Sequence, residues 1–96
     1  MDRQPICKTF VYGTKQWILN RKPHRIDGPA IEWVDGSKEW RLYGKRHRID
    51  GPAVENSDGH KGWWLDGVEV PWQMVYHRAT TDEARLSILV AALTAS

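Results

Sequence analysis

Short stretches rich in Val, Ile, Trp and Leu alternate with turn signals from about residue 8 to residue 71. One set of turn dipeptides, typical of β-hairpins, comprises Tyr12-Gly13, Asp35-Gly36 and Asp58-Gly59. A second set comprises Tyr43-Gly44, Asp66-Gly67 and, in weaker form, Asn20-Arg21. The pattern predicts strands near residues 8–12, 15–20, 29–34, 38–43, 52–57, 61–65 and 68–71. Because short turns join consecutive strands, we expect an antiparallel meander of hairpins.

From residue 80 onward the pattern changes to that of a helix. Thr80, with Glu83 three residues later, has the signature of a capping box, and the residues that follow contain neither Gly nor Pro. Their apolar side chains recur on two opposite faces, so we expect one face to lie on the sheet and the other to meet a second subunit. The candidate oligomer-interface residues are Leu86, Ile88, Leu89, Val90 and Leu93.

The chain has 96 residues, of which 41% are hydrophobic and 27% charged, as in a folded globular protein. We predict a single domain over residues 1–96 of the α+β class, mostly β with one C-terminal helix. Hairpin repeats occupy about 9–71, and the helix lies near 81–95 within a C-terminal segment of about 80–95. The single cysteine favours a reducing compartment. With no signal-like N-terminus and no apolar run of about 18 residues, we expect a cytoplasmic protein without a membrane partner.

A repeat of 23 residues organises the chain. The heptapeptide His-Arg-Ile-Asp-Gly-Pro-Ala occurs at residues 24–30 and returns letter for letter at 47–53. Over the aligned blocks 17–39 and 40–62, 14 of the 23 positions are identical. Residues 10–16 match the end of a copy and residues 63–67 match the start of one, so the outer copies are incomplete, as is usual for the ends of a repeat array.

The heptapeptide contains groups suited to acid–base chemistry, but a catalytic set normally occurs once in a domain. We therefore predict a structural role, in which Asp27 and Asp50 cap backbone N–H groups, the glycine supplies an unusual φ and the proline fixes φ at the entry to the next strand. His24 and His47 are expected to pack against a neighbouring repeat and donate hydrogen bonds to its backbone. We predict no enzyme activity and no cofactor. The spacing of the four histidines and one cysteine predicts no metal site.

Two groups of residues are candidates for binding. Basic residues recur in equivalent loops one repeat apart, so they should line one edge and suit an anionic partner, although the net charge is only +2. Trp17, Trp40 and Trp63 share one repeat position and predict a stripe in the sheet. The other three tryptophans break the repeat and are freer to serve an interface. The candidate binding residues are Arg21, Lys22, Arg25, Trp33, Lys45, Arg46, Arg48, Trp64 and Trp72.

The second copy begins Trp40-Arg-Leu-Tyr-Gly44-Lys45-Arg46-His47 and resembles the MORN repeat, with its rhythm of aromatic-x-x-Gly-Lys-x-His. The heptapeptide replaces that family's His-Gly-x-Gly, so the chain resembles a divergent branch met in small bacterial and bacteriophage proteins. The resemblance covers about residues 9–71. It implies an elongated antiparallel sheet with a binding or scaffolding role and no catalytic residues.

These observations predict a small non-enzymatic binding protein. The resemblance implies a phage-type, host-directed inhibitor or counter-defence protein that acts by contact with a host protein. One alternative is an oligomeric sponge for a nucleotide-type small molecule, in which tryptophan stacks on the base and Arg25 or Arg48 holds the phosphate. A second alternative is a nucleic-acid-binding module. We expect a homo-oligomer, a dimer or higher.

Overall fold

A computed structural model describes residues 4–94, which form eleven short β-strands followed by two helices. The strands are β1 (Ile6–Thr9), β2 (Lys15–Leu19), β3 (Lys22–Pro23), β4 (Ile31–Glu32), β5 (Lys38–Glu39), β6 (Arg41–Leu42), β7 (Lys45–Arg46), β8 (Val54–Glu55), β9 (Lys61–Gly62), β10 (Trp64–Leu65) and β11 (Val68–Glu69). The helices are α1 (Trp72–Arg78) and α2 (Asp82–Thr94). The predicted fold class, antiparallel β with a helical C-terminal region, is confirmed.

One antiparallel sheet runs through the molecule in the order β1-β2-β4-β5-β8-β9, with β3 paired to β2. Loops at residues 10–14, 33–37 and 56–60 close its hairpins, and we call them the wide loops. In each, the N–H of the first residue donates to the carbonyl of the last. The fourth residue of each loop is a glycine with φ of 91–96°, a left-handed conformation that side chains disfavour. The glycines of the first predicted turn set therefore lie one residue before the end of these loops.

A second row of hairpins joins β2 to β3, β6 to β7 and β10 to β11, and we call their turns the tight turns. They are Asn20-Arg21, Tyr43-Gly44 and Asp66-Gly67, and all six residues have φ between 49° and 86°. Positive φ at both central residues defines the turn type that matches the twist of a hairpin. Successive tight hairpins are joined by the backbone, since Gly44 N–H donates to Pro23 and Gly67 N–H donates to Arg46.

The structure corrects several predicted boundaries. Residues 38–43 and 61–65 were each expected to form one strand, but the chain leaves the main sheet at Trp40 and Trp63 to build a tight hairpin. The first strand ends at residue 9 because residues 10–14 form a wide loop. The sequence pattern does not predict β3, β7 or α1, which are short and lack a clear period. The cap of α2 is Thr81, whose hydroxyl accepts from Ala84 N–H, not Thr80.

Opposite charges face each other across the main sheet. The register pairs Lys15 with Glu32, Glu32 with Lys38, Lys38 with Glu55, and Glu55 with Lys61. These residues lie on one face because directly paired positions of antiparallel strands point to the same side. The alternation of Lys and Glu across the strands explains why both charges recur in the two copies.

Each heptapeptide folds back over the tryptophan that begins its own copy. In the second copy, the guanidinium carbon of Arg48 lies 3.8 Å from the ring centroid of Trp40. Its Nε donates to Asp50 at 2.8 Å, and one terminal nitrogen donates to the Pro52 carbonyl and to Glu55. The first copy repeats every one of these contacts with its own residues. The arginine therefore ties the loop to the sheet.

The glycine of the heptapeptide allows this close approach. A Cβ at Gly51 would lie 2.6 Å from the guanidinium carbon of Arg48, and one at Gly28 would lie 2.9 Å from that of Arg25. Neither glycine has a positive φ, so the predicted unusual backbone conformation is wrong. The aspartates bind the arginines of their own loops, which replaces the predicted capping of backbone N–H groups.

The repeated histidines join one copy to the next. His24 is buried, and its Nδ1 accepts from Tyr43 N–H at 2.9 Å; His47 accepts from Asp66 N–H at 3.0 Å. The predicted contact with the neighbouring repeat is present, but the predicted direction is wrong, because the backbone donates. Asp66 Oδ1 also lies 3.4 Å from His47 Nδ1.

The helices cover the third copy, where no heptapeptide follows. Trp63 occupies the repeat position of the other two stripe tryptophans and lies in a buried cluster with Leu65, Val75, Ala79 and Ile88. Helical side chains therefore cover the last tryptophan, as an arginine covers each of the first two. Within residues 4–94, no helix is long and apolar enough to cross a membrane.

The residues of α2 that were predicted to form an oligomer interface differ in exposure. Ile88 is fully buried in the core of the chain, so it has no surface for a second subunit and the prediction for it is wrong. Leu89 is partly buried, whereas Leu86, Val90 and Leu93 are exposed. For these four residues, contact with a second subunit stays a prediction.

We expect Gly51→Ala to lower the free energy of unfolding by about 1–3 kcal/mol, because the new methyl group displaces the Arg48 guanidinium from Trp40. The measurement is chemical denaturation of the single variants and of the double variant with Arg48→Ala. In the double variant the alanine at position 51 should cost much less, since the obstructing side chain is gone. An equal cost in both backgrounds would contradict this role for the glycine.

Candidate interaction surface

The candidate arginines of the heptapeptide are engaged within the protein. The side chains of Arg25 and Arg48 are 22% and 16% exposed, and each contacts two carboxylates and a tryptophan ring. A guanidinium group has five N–H donors, and the loop already uses several of them. These two arginines therefore hold the loops and have little left to offer a phosphate.

Arg46 and Trp64 belong to a second internal cluster, centred on Glu39. One oxygen of this buried carboxylate accepts from Arg41 at 2.7 Å and from Arg46 at 3.2 Å. Arg46 also lies over Trp64, with 4.9 Å between guanidinium carbon and ring centroid. Burial alone raises the pKa of Glu39, but the hydrogen bonds and charges of the two arginines outweigh it, and the pKa falls below its ordinary 4.5. The negative charge of Glu39 at the centre of the cluster is paired with the cluster's own two arginines.

Trp72 opens α1 and is only partly exposed. It packs against the buried cluster beneath the helices and meets Tyr76 edge to face, with 6.2 Å between ring centroids. Such a contact stabilises the helical region. Trp72 departs from the repeat pattern because it lies beyond the end of the repeat array, in the first helix.

Arg21, Lys22 and Lys45 are exposed and line the tight turns. The stems of the two lysines lie beside the glycine of the following turn, Lys22 against Gly44 and Lys45 against Gly67. Within residues 4–94, none of the three cations forms an ion pair. The predicted basic edge is therefore reduced to these three residues.

Trp33 lies in an apolar surface built by the first two wide loops. It lines a groove of about 300 Å³ with Phe10, Tyr12 and Ile31. Five side chains of these loops are exposed, and we call the surface that they present the aromatic patch. They are Phe10, Val11, Tyr12, Trp33 and Val34.

The aromatic patch is confined to two of the three wide loops. At the positions of Trp33 and Val34, the third loop carries Asn56 and Ser57, and at the position of Tyr12 it carries Asp58. All three loops nevertheless have the same backbone hydrogen bonds and the same left-handed glycine. The fold therefore does not require the apolar side chains of the patch.

Polar contacts hold the shape of the wide loops. Asp35 accepts from Ser37 N–H at 2.8 Å, and Asp58 accepts from His60 N–H at 3.0 Å. These backbone hydrogen bonds are the main reason that the pKa of each aspartate is lowered. Asp35 thus orders the loop that presents Trp33.

Strand β1 extends the aromatic patch along the edge of the sheet. It pairs only with β2, and all four of its residues are exposed. Lys8 lies on this strand with its ammonium nitrogen 5.3 Å from the ring centroid of Phe10. An open edge offers unpaired backbone groups to an extended partner segment.

Sequence reasoning selected Trp33 but missed Phe10, Val11, Tyr12 and Val34. The signal was present, because residues 10–16 align with residues 33–39 and place Phe10 at the position of Trp33. What the alignment alone did not reveal was that these positions lie side by side in loops open to solvent.

The described part of the chain contains no group of three His, Cys, Asp or Glu side chains placed to hold a metal ion. Comparisons with models of protein families, with curated proteins and with solved structures found no match to this chain. The resemblance to MORN repeats therefore stays a prediction.

We expect Glu39→Gln to lower the free energy of unfolding by about 1.5–3 kcal/mol at neutral pH, through the loss of charge-assisted hydrogen bonds. Because the folded-state pKa of Glu39 is lowered, its contribution is complete above pH 4.5 and is lost as the pH falls through that lower value. The free energy of unfolding is measured by denaturation from neutral to acidic pH. Below pH 4.5 it should fall less steeply with falling pH in this variant than in the wild type. The exposed Glu69→Gln is the control, and equal pH dependence in both variants would contradict the assignment.

Arg21→Gly is expected to stabilise the protein by about 1 kcal/mol, because Arg21 has a φ of 65° where the next two tight turns have glycine. Thermal unfolding measures the gain. Lys22→Gly, one residue later in β3, has no positive φ to relieve and should give none. A variant at position 21 no more stable than the wild type would show that the turn is unstrained.

Proposed function

We propose that this chain is a non-enzymatic binding protein that acts by protein–protein contact, with the aromatic patch as its contact surface. The observation that carries the proposal is the difference between the loops. Two of them expose large apolar side chains, whereas the third builds the same backbone with polar ones. Exposed apolar surface that the fold does not need is typical of an interaction site.

The side chains of the patch suit a contact of this kind. Tyr12 and Trp33 offer large apolar areas with few rotatable bonds, and such residues dominate the energy of many interfaces. The loops that carry them are fixed by backbone hydrogen bonds and, at Trp33, by Asp35. Little conformational entropy is then lost on binding, which favours affinity.

A charge beside the patch indicates the chemistry of the partner. Lys8 borders Phe10, with 5.3 Å between its ammonium nitrogen and the ring centroid. In residues 4–94 Lys8 has no carboxylate partner of its own. We therefore propose a partner with an apolar cluster bordered by Asp or Glu, whose charges would speed encounter and fix orientation. A host-directed inhibitor or counter-defence protein, as the MORN-like resemblance implies, would act through such a surface.

Two further ligand classes were predicted from the sequence. Sequestration of a nucleotide depended on Arg25 or Arg48, and their internal contacts disfavour it. Nucleic-acid binding is supported by the exposed cations Arg21, Lys22 and Lys45 and by the exposed ring of Tyr43. It would weaken steeply with salt, because phosphate contacts release counterions. Arg46 is unsuited to a charge-reversal test since its contact with Glu39 is internal.

We expect the double substitution Trp33→Asn and Val34→Ser to abolish capture of the partner while the protein stays folded. The new residues are those of the third wide loop, Asn56 and Ser57, which forms the same turn. Tagged wild type and variant are incubated with host lysate, and the captured proteins are compared by quantitative mass spectrometry. A partner that depends on the patch should fall by roughly tenfold or more.

The control is Val68→Ser, which removes an exposed apolar side chain far along the chain from the patch, on β11. A true partner should be retained by this control and lost by the patch variant. If every protein captured by the wild type is captured equally by the folded patch variant, the proposed contact surface is wrong.

A further inference from the structure

Two arginines face each other across the second tight hairpin. The register of β6 and β7 pairs Arg41 directly with Arg46. Like charges at directly opposite positions of a hairpin repel each other. The corresponding pairs in the other two tight hairpins are Ile18 with Pro23 and Trp64 with Glu69. The hairpin fold therefore does not require two cations at these positions.

Glu39 offsets only part of this positive charge. Its Oε1 accepts from Nε and Nη2 of Arg41 and from Nε of Arg46. Nη1 of Arg41 donates to the Gly44 carbonyl at 2.9 Å, so this guanidinium is largely engaged. Arg46 is different, because within residues 4–94 only its Nε donates to a protein acceptor. Its side chain is 36% exposed, so the N–H groups of its two terminal nitrogens remain accessible to a ligand.

A pocket of about 430 Å³ lies beside these arginines, between the second and third tight hairpins. Its lining consists of Arg41, Gly44, Lys45, Arg46, Trp64 and Gly67. Every charged residue in this lining is a cation, since the Glu39 carboxylate is not part of it. We call it the cationic pocket.

Lys45 adds a third positive charge to the cationic pocket. It is exposed, its stem lies against Gly67, and it forms no ion pair with any residue of the described range 4–94. The three cations of the pocket have one carboxylate beside them, that of Glu39, so two positive charges stay unbalanced.

The cationic pocket is specific to the second copy of the repeat. The residues of the first copy that correspond to Glu39, Arg41, Lys45 and Arg46 are Gln16, Ile18, Lys22 and Pro23. Only the lysine recurs, although 14 of 23 positions are identical in the two copies. Three of the differing positions thus form one connected cluster of charges, which the repeat itself does not need.

We propose that the cationic pocket binds the phosphate dianion, either free or as the terminal group of a phosphate monoester. A phosphate monoester has a charge near −2 and three terminal oxygens, which match two unbalanced positive charges and three cationic side chains. Its oxygens accept from Arg46, from Lys45 and from the remaining N–H groups of Arg41. A monocarboxylate has one charge and two oxygens, so it would leave a cation unpaired.

This site differs from those considered above. Arg25 and Arg48, which were predicted to hold a phosphate, are engaged within their own loops and do not line the pocket. The pocket also shares no lining residue with the groove of the aromatic patch. Phosphate binding and the proposed protein contact can therefore be tested independently.

Titration with inorganic phosphate, followed by two-dimensional ¹H–¹⁵N NMR, tests the proposal. Ionic strength is held constant with chloride. We expect saturable shifts of the Nε–H signals of Arg41 and Arg46 and of the backbone amide of Gly67, which donates to the Arg46 carbonyl. The Nε–H signals of Arg25 and Arg48 should not move, since these groups donate to aspartates outside the pocket.

The charge and the bearer of the phosphate are varied in the same titration. Dimethyl phosphate, a diester with a single charge, should bind at least about tenfold more weakly than inorganic phosphate. This arm separates the site from general affinity for a nucleic-acid backbone, whose phosphates are diesters. Ribose 5-phosphate and a nucleoside 5′-monophosphate distinguish the sources of the dianion. Equal affinity for these esters and inorganic phosphate identifies the dianion alone as the ligand, and tighter binding of the nucleotide adds a contact between its base and Trp64.

A hairpin variant removes the charge cluster without a new turn. It combines Glu39→Gln, Arg41→Ile and Arg46→Pro, so the second tight hairpin receives the residues of the first. The carbonyl of Pro23 accepts from the following turn as that of Arg46 does, and the backbone hydrogen bonds should be kept. We expect at least about tenfold weaker phosphate binding, with circular dichroism as the check on folding.

A matched pair of lysine variants leaves the contacts of Glu39 intact. Lys45→Ser should weaken phosphate binding by about two- to fivefold, as is typical of an exposed ion pair. Lys22→Ser removes the corresponding lysine one repeat earlier, outside the pocket lining, and should bind phosphate as the wild type does. The proposal is overturned if the wild type shows no saturable phosphate binding in the millimolar range. It is also overturned if the folded hairpin variant binds equally well, or if the two lysine variants bind alike.

Discussion

The fold depends on an arginine stacked on a tryptophan. In each complete copy the guanidinium lies 3.8 Å from the indole ring and is held there by an aspartate, a proline carbonyl and a glutamate of the same copy. A cation over a partly desolvated ring is worth about 1–2 kcal/mol, and bonds between charged partners add to it. A thin sheet made mostly of two-residue strands has little apolar interior, so this unit covers the tryptophan in place of a conventional core. The stacking of the arginine on the tryptophan explains why the heptapeptide contains a glycine and why its residues stand in this order.

Because each copy covers its own tryptophan, the array can end wherever something else covers the last one. Trp63 has no following arginine, and the two helices bury it with Val75 and Ile88. The C-terminal end is thereby closed, whereas β1 leaves the other end open. Positions that the repeat does not fix then become free to vary. The wide loops use this freedom, since they carry apolar residues in two copies and polar residues in the third.

The sequence predicts much of this architecture because its repeat and turn dipeptides are local signals. The hairpins, the helix over 82–94 and the structural character of the heptapeptide could be inferred from spacing. The contacts of the heptapeptide could not be inferred in this way. Arg48 reaches Trp40 and Glu55 only once the loop has folded back, and the sequence period contains no signal for that folding. For the same reason Arg25 and Trp72 stood out as candidates although they have partners inside the protein. Tyr12 and Val34 were overlooked because exposure is a property of the assembled sheet.

The stacked arginine can be observed directly by NMR of the free protein. Protons on the Cδ of Arg25 and Arg48 should be shifted strongly upfield by the indole rings, and their Nε–H signals should be resolved and slow to exchange, since each donates to an aspartate. Arg78, exposed at the end of α1, supplies the reference for an unstacked arginine. Shifts and exchange rates at positions 25 and 48 equal to those of Arg78 would contradict the account.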